Sequence, residues 1–428
     1  MYNKIFGLFD KLRIIICKPW FLFYNLDVTS FKISVAMYRS LMRYSVNDRI
    51  KLKSDIIMSN SNHFFPIYSC RSGFDAILQI LNTSPRSDDQ PEIIMTGLNI
   101  KHMRMLPEIH GYKVKILDID LDTMEPDLVQ LKNLITPKTH ILVVAQLCGV
   151  HVDLEPLARI VKENNIIIIE DCAQSINNEY FGSCHVDFTL FSFGLSKDYT
   201  AFGGGLLRVH NNEYRNSISN LLETYPIESQ FNYLTTVTIS AIKFILSSSI
   251  AVSLIHFIAR QFGSNFENVL NKIGKEFNDQ DDPSKLLAKF RKQCSTPHLS
   301  IIRDRIKEIY DTPYSNKYQL ERKMQGDYLT NKLLNIQTVK VVGNKQMTRH
   351  YWLFPILVKN RDQLLDKLNQ NGFIATKTAT TFGYVGLEEE ESNCFKFKEE
   401  VVYLPCSPYI PRIKIDEMVK LIKNFKFI

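Results

Sequence analysis

The chain has 428 residues, of which 45% are hydrophobic and 23% are charged. This composition is globular and excludes a disordered or fibrous protein, while the length predicts two or three folding units. The net charge of +7 is mild and forms no basic stripe, so a nucleic-acid partner is not indicated. The eight cysteines include no CxxC pair, which gives no support for a zinc or thioredoxin-type site and favours buried free thiols in a reducing compartment.

Residues 1–60 are predicted to form an N-terminal arm. The first twenty or so, MYNKIFGLFDKLRIIICKPW, lack a clean apolar stretch and a small-residue cleavage site. No secretory signal is therefore predicted, and a cytoplasmic location is expected.

Residues 61–214 alternate between apolar runs typical of strands and amphipathic runs typical of helices. The strand-like runs cover 92–97, 113–120, 140–149, 166–171 and 188–194, with a return strand LLRV near 206–209. The first helix is predicted over 73–81, with Ser72 as its N-cap. Apolar strands separated by helices predict an α/β unit with a mostly parallel sheet buried on both faces. Functional side chains are expected at the carboxyl ends of its strands.

Residues 215–296 interrupt this alternation and are predicted to be an insertion containing an apolar helix. The run Val237–Ala259 has the length of a membrane span but contains five serines, Lys243 and His256. We favour a buried or dimer-interface helix, followed by peripheral membrane contact and then by a true span. The polar stretch 275–296 predicts a surface linker, and the strand and helix patterns of 297–428 predict a small α/β C-terminal domain.

Lys197 is the first candidate for chemistry. It follows an apolar strand and precedes Gly203, Gly204 and Gly205. A lysine held where a sheet ends can be desolvated, which lowers its pKa and makes it a Schiff-base nucleophile. The glycines permit either close approach of the backbone to a ligand or a tight turn before the return strand.

Asp171 is the second candidate, because it ends the apolar run IIIIED. A carboxylate at that position could keep a pyridinium nitrogen protonated, as pyridoxal phosphate chemistry requires, or it could cap a following helix. Glu170 precedes it and should point to the opposite face of the sheet. Ser192 and the segment Ser69–Ser72 form a possible anion site, since a helix N-terminus attracts phosphate. Ser192 could equally be a buried hydroxyl bonded to the backbone.

Two long stretches resemble the DegT/DnrJ/StrS aminotransferases, many of which act on sugars. They are ITPKTHILVVAQLCGVHVDLEPLARIVKENNIIIIEDCAQSI and FGSCHVDFTLFSFGLSKDYTAFGGGLL. The resemblance covers about residues 65–210 and continues more weakly through 297–428. It implies a fold-type I transferase dependent on pyridoxal phosphate, with a large domain built on a seven-stranded, mostly parallel sheet and a small α/β C-terminal domain.

The same resemblance implies roles for individual residues. Lys197 matches the lysine that bonds the cofactor, and Asp171 matches the acid that bonds its pyridine nitrogen. By the same resemblance, Gln174 lies near the ring hydroxyl of the cofactor and Ser192 binds its phosphate. Cys70 and Arg71 match the two phosphate-binding positions at the start of the helix. His102 or Ile100 would occupy the position that stacks on the cofactor ring. No metal site is predicted.

The reaction that the resemblance implies is transamination, with glutamate as donor and a keto group on a nucleotide-linked sugar as acceptor. A histidine in place of Lys197 would instead be typical of a dehydratase, so the lysine favours aminotransferase chemistry. A homodimer with shared active sites is expected, in surface-polysaccharide or natural-product biosynthesis. Two alternatives stay open, namely a membrane-proximal or lipid-linked substrate, and a member of the family without catalytic activity.

Overall fold

The computed structural model describes residues 21–22, 28–59, 63–82, 90–248, 251, 283–311, 313–379, 382–386 and 391–425. Fourteen strands, β1–β14, occur within these ranges: Phe21–Leu22, Phe64–Ile67, Glu92–Thr96, Leu98–Ile100, Lys113–Leu117, Thr139–Ala145, Ile167–Asp171, Phe188–Ser192, Gly205–Val209, Lys340–Val341, Pro355–Leu357, Phe373–Ile374, Phe382–Tyr384 and Val401–Tyr403. Fourteen α-helices, α1–α14, occur in the same ranges: Ser30–Leu41, Val46–Ile57, Cys70–Leu81, Lys101–Ile109, Leu128–Leu134, Glu155–Lys162, Arg215–Thr224, Gln230–Leu246, Pro283–Phe290, Thr296–Asp311, Pro313–Leu333, Arg361–Gln370, Asn393–Glu400 and Arg412–Lys423.

The main sheet has seven strands in the order β2-β9-β8-β7-β6-β3-β5. Strands β8, β7, β6, β3 and β5 are mutually parallel, and β9 runs antiparallel to both β8 and β2. The predicted α/β class and the mostly parallel seven-stranded sheet are therefore confirmed. Because β6, β7 and β8 point the same way, the segments that follow them meet at one edge of the sheet.

Both faces of the sheet are covered, as the continuous apolar runs predict. Successive residues of β6 alternate between two cores, because side chains of a strand point to opposite faces. Ile141 and Val143 pack in the core that contains α3, whereas Leu142 and Val144 pack in the core that contains α6. This double burial fixes the sheet and therefore the position of its carboxyl edge.

A second, three-stranded sheet lies in the C-terminal part of the chain, in the order β10-β11-β14 with all pairs antiparallel. It shares a core with α11, α12 and α14 through residues such as Leu329, Leu364 and Ile415. The helices α10 and α11 precede this sheet in the chain. Within the apolar stretch 351–359 only Pro355–Leu357 pairs with neighbouring strands.

The predicted linker over 275–296 is wrong for the part that the structure describes. Pro283–Phe290 is a helix, and Leu286 and Phe290 are each only 1% exposed. The two apolar residues pack in the core beneath α3, which explains the difference. A few buried apolar positions are enough to dock a short helix even when it lies in a polar and charged stretch of sequence.

The apolar run Val237–Ala259 is described as helix only over its first ten residues, which form the end of α8. Tyr233, Val237 and Ser240 are buried, whereas Ile242 and Ile245 are 53% and 65% exposed. Residues 249–250 and 252–259 of the run lie outside the described residues. No helix in the described ranges combines the length and hydropathy that crossing a bilayer demands.

Candidate active site

Lys197 lies in the segment between β8 and β9, beyond the carboxyl edge of the sheet. Its backbone N–H donates to the carbonyl of Gly194 at 3.0 Å, which turns the chain back across the edge. Desolvation lowers the pKa of the Lys197 amine to about 8, although negative charge at Cys70 and Asp171 acts in the opposite direction. The predicted desolvation of this lysine is therefore present in the structure, and a substantial fraction of the amine is neutral near pH 8.

Asp171 is the last residue of β7 and is 7% exposed. Its carboxylate accepts hydrogen bonds from the Ala173 N–H at 3.0 Å and from the Asn99 Nδ2 at 3.3 Å. Burial raises the pKa of Asp171, while these two donors and the charge of Lys197 oppose the increase. A buried carboxylate of this kind gains from a cationic partner, which is what a protonated pyridine nitrogen would supply.

Glu170 points to the opposite face, as predicted, and serves the sheet rather than the candidate site. Its side chain is fully buried and accepts bonds from Gln146 at 2.8 Å, the Ser183 N–H at 2.9 Å and Thr189 at 3.1 Å, with a further bond from Tyr180. Four donors compensate for the cost of burying this carboxylate.

Gln174 lies on the segment after β7 and is 9% exposed. Its Oε1 accepts from the backbone N–H of Cys148 at 2.9 Å, which fixes the side-chain amide against the segment after β6. Charges at Lys197 and Arg349 both act on the Cys148 thiol, whose pKa is raised to about 12 chiefly by burial. Gln174 is thus tied to a segment that lies within electrostatic reach of Lys197.

The start of α3 lies at the same edge. Ser69 caps this helix by accepting from the Ser72 N–H at 3.2 Å, so the prediction of Ser72 as the N-cap is wrong. The helix begins three residues earlier than its apolar periodicity indicates, and the Ser72 hydroxyl donates instead to the Phe290 carbonyl at 2.7 Å. Cys70 is buried, and burial followed by the charge of Asp171 raises the pKa of its thiol. The N-terminus of α3 is therefore next to Asp171.

Ser192 ends β8, opposite Gly205 of β9, and its Oγ accepts from the Gly194 N–H at 3.4 Å. The Ser192 hydroxyl also acts on the Cys70 thiol, so a hydroxyl and the start of a helix lie side by side. Together they offer the donors that a phosphate group requires. This is where the predicted phosphate ligands would hold pyridoxal phosphate.

Arg71 and His102 both contact Phe290 of α9. The Arg71 guanidinium lies 5.3 Å from the centre of the Phe290 ring, and the His102 ring meets the same ring edge-on at 5.7 Å. His102 is on α4 and is 1% exposed. Arg71 and His102 therefore both pack against a helix that belongs to the region predicted to be an insertion.

The three glycines after Lys197 are explained by packing and by a turn. Gly203 and Gly204 have φ values of +149° and +73°. A Cβ on Gly204 would lie 2.8 Å from the His298 ring, and one on Gly205 would lie 2.2 Å from the Phe191 carbonyl oxygen. Of the two readings that the sequence left open, the structure therefore supports the tight turn before β9.

Three residues of this edge were missed by sequence reasoning. Asn99 follows β3 and had a weak signal, since it is a polar residue after an apolar strand. Trp352 lies with its ring centre 3.9 Å from the Lys197 Nζ, and its indole N–H donates to the Ser196 carbonyl at 3.0 Å. Arg322 of α11 forms two bonds with Asp198, at 2.8 and 2.6 Å. Trp352 and Arg322 had no sequence signal, because they are more than a hundred residues away from Lys197.

The chain is similar to known proteins in sequence and in fold. Residues 63–241 match the model of the DegT/DnrJ/EryC1/StrS aminotransferase family. The pleiotropic regulatory protein of Geobacillus stearothermophilus is 30% identical over 40% of this chain and 46% of its own length. The UDP-2-acetamido-2-deoxy-3-oxo-D-glucuronate aminotransferase of Pseudomonas aeruginosa is 30% identical over 36% and 44%. The chain thus spans less than half the length of these curated relatives.

Likeness in fold extends over nearly the whole chain. A Helicobacter pylori aminotransferase of pseudoaminic acid biosynthesis superposes with a TM-score of 0.66 at 13% identity, over 94% of this chain and 98% of its own. At such low identity this match concerns the fold alone. Residues 63–241, which contain the main sheet and the lysine and aspartate at its edge, are thus the part of the chain that is similar to the DegT/DnrJ/EryC1/StrS aminotransferase family.

Proposed function

We propose that the protein is an aminotransferase that uses pyridoxal phosphate to move an amino group from an amino acid to a keto group on a nucleotide-linked sugar. The single observation that carries this proposal is the desolvated amine of Lys197, held at the same sheet edge as the buried carboxylate of Asp171. The match of residues 63–241 to the aminotransferase family and the nucleotide-sugar aminotransferase among the relatives support it. Glutamate as donor rests on the family resemblance.

The residues present fit the cofactor. The N-terminus of α3 and the Ser192 hydroxyl would hold its phosphate, Asp171 would accept from its ring nitrogen, and the fixed amide of Gln174 would lie near its ring hydroxyl. Pyridoxal phosphate, when bound, supplies the electron-withdrawing ring that transamination requires. His102 as a ring contact stays a prediction, as do the homodimer and the division of the chain at residues 60, 214 and 296.

Lys197 would act in proton transfer. Its lowered pKa leaves part of the amine neutral near pH 8, so Nζ could accept a proton from the substrate carbon that bears the amino nitrogen and return it to the carbon on the other side of that nitrogen. The half-buried setting beneath Trp352 would keep water away from that nitrogen. Burial raises the pKa of Asp171, so a cation that faces its carboxylate would favour the anionic form.

The proposal is tested by the absorbance spectrum of the purified protein before and after borohydride reduction. We expect a yellow protein that bleaches on reduction and carries the reduced cofactor on Lys197 by peptide mass. Lys197→Ala should lose the colour, whereas Lys317→Ala, at a lysine whose side chain is 71% exposed, should keep it. A wild-type protein that takes up no cofactor, or a coloured protein that does not change when glutamate is added, would contradict the assignment. The second outcome would favour a member without catalytic activity, and one relative is named as a regulatory protein.

A second candidate differs in where the substrate lies. Helix α8 exposes Phe231, Ile239, Ile242 and Ile245, of which Phe231 is 74% exposed. An apolar helix face of this kind suits a peripheral membrane contact and hence a membrane-proximal or lipid-linked acceptor. Sedimentation with liposomes of anionic lipid tests it, because a protein that stays wholly in the supernatant is incompatible with this candidate.

A further inference from the structure

The segment 349–352 lies across the carboxyl edge of the main sheet. Arg349 pairs with Val150 through an isolated antiparallel bridge, and the His350 N–H donates to the Gly149 carbonyl at 2.8 Å. Two residues farther along, the Trp352 ring covers the Lys197 amine at 3.9 Å. Arg349 is therefore held against the segment after β6, on the same stretch of chain that covers the candidate catalytic lysine.

Arg349 is a buried cation without an acidic partner. It is 6% exposed, yet among the described residues no carboxylate lies within 4.0 Å of its guanidinium and no side-chain hydrogen bond leaves it. Arg322, which is 5% exposed, shows the usual arrangement, since it bonds twice to Asp198 and once to the His350 carbonyl at 2.8 Å. Arginine is rarely buried without such partners, because desolvating a charge is costly.

The guanidinium of Arg349 is nevertheless not enclosed. Its nitrogens are absent from the buried polar atoms that lack a partner among the described residues, so they keep some accessible surface. The group lies over the Tyr351 ring, 4.3 Å from its centre, which fixes the plane of the fork. An oriented, desolvated guanidinium that faces an accessible space matches the geometry of bidentate carboxylate and phosphate recognition.

Arg349 and Lys197 both lie within electrostatic reach of one thiol. The Cys148 thiol feels the positive charge of both Arg349 and Lys197. Burial lowers the pKa of Arg349, and Tyr351, Cys148 and the charge of Asp327 oppose this effect. The Asp327 carboxylate acts without an ion pair to Arg349, because it accepts a hydrogen bond from the Tyr351 hydroxyl at 2.6 Å. A bound anion would supply the direct charged partner that these groups do not give.

We propose that Arg349 binds an oxyanion of the substrate, a carboxylate or a phosphate, beside Lys197. This inference rests on the proposed function, because both reactants of such an aminotransferase carry an oxyanion. The amino donor has its carboxylates, and a nucleotide-linked sugar has its diphosphate. Either would form two parallel N–H···O bonds with the guanidinium fork.

The test measures binding by the full-length protein without turnover. Glutarate, a dicarboxylate with no amine to transfer, and UDP, a nucleoside diphosphate with no sugar, are titrated separately by calorimetry. Arg349→Met removes the charge at similar length, Arg349→Lys keeps the charge without the fork, and Arg159→Met, at a side chain 75% exposed, is the control. We expect Arg349→Met to weaken one probe by about tenfold to a hundredfold, from the loss of charge-assisted bonds. The affinity of Arg349→Lys for the same probe should lie between those of Arg349→Met and the wild type, and the affinity of Arg159→Met should match that of the wild type.

The probe whose binding is weakened identifies the source of the oxyanion. If Arg349→Met and Arg349→Lys bind both probes as tightly as the wild type does, the inference is overturned. If Arg349→Met fails to fold, the decision falls to Arg349→Lys, because the loss of the fork alone should still weaken the same probe. Cofactor absorbance is recorded for each variant and should be unchanged. A wild type that takes up no cofactor would refute the proposed function, while the effect on probe binding would still decide the role of Arg349.

Discussion

The pair formed by Arg322 and Asp198 gives the most direct test of how the two parts of the chain are joined. Arg322 is on α11 and Asp198 follows the candidate catalytic lysine. Their side chains are 6% and 8% exposed, and two short bonds connect them. Burial alone raises the pKa of Asp198, but the charge and hydrogen bonds of Arg322 outweigh it and lower the pKa below its usual value.

Arg322→Met should therefore be strongly destabilising. It leaves a carboxylate buried without its partner, and breaking one side of a buried ion pair costs about 3–5 kcal/mol. Asp198→Asn together with Arg322→Met removes both charges and should cost clearly less than the sum of the single changes. Urea unfolding followed by circular dichroism measures each free energy. Lys317→Met breaks an exposed pair with Glu321 and should change stability by less than about 0.5 kcal/mol.

The pH dependence has a definite sign. Because the pKa of Asp198 is lower in the folded than in the unfolded state, its contribution is complete above the unfolded value and is lost as pH falls through the folded value. In Arg322→Met the carboxylate is buried and unpaired, so acid should relieve its cost. The difference between wild type and variant should hence shrink as pH falls towards 4. A loss below about 1 kcal/mol at pH 7, or a difference that grows in acid, would refute this reasoning.

Three further predictions concern the site. In the cofactor-free protein, the rate at which an amine reagent modifies Lys197, followed by peptide mass, should level off above about pH 9, where ordinary lysines still gain reactivity, because the pKa of Lys197 is about 8. Trp352→Leu should move that plateau to lower pH, because it removes the aromatic face that stabilises the Lys197 ammonium, whereas Trp352→Phe keeps such a face and should not. The same pH profile in both variants would exclude a stabilising contact between the ring and the ammonium. Gly149→Ala should lower the free energy of unfolding, measured in urea, by about 1–3 kcal/mol. The reason is that φ is +80° at Gly149 and a Cβ there would lie 2.7 Å from the backbone nitrogen of Trp352. Gly111→Ala should lower the free energy of unfolding by less, because φ is +82° at Gly111 but the space around it is open. Equal losses in the two variants would show that the close approach at Gly149 does not affect stability.

Much of the fold follows from the sequence because it depends on local periodicity. The apolar runs that end at Ala145, Asp171 and Ser192 are buried on both faces, and only a covered parallel sheet accommodates such runs. Asp171 ends one of these strands and Lys197 lies five residues after the end of the next, so their meeting at one edge follows from strand direction alone. The start of α3 was misjudged by three residues, because its first turn is fixed by capping at Ser69 and not by apolar spacing.

What completes the site came only from the tertiary structure. Trp352, Arg322 and Arg349 lie more than a hundred residues beyond Lys197, and no local pattern indicates which face of a distant segment will be folded over the sheet edge. Likewise, the segment 283–290 lies in a polar stretch of sequence, and it docks as a helix because Leu286 and Phe290 pack in the core beneath α3. Strand order and direction are set by patterns a few residues long, whereas burial, and with it the charge state of a buried group, depends on what the rest of the chain packs above it.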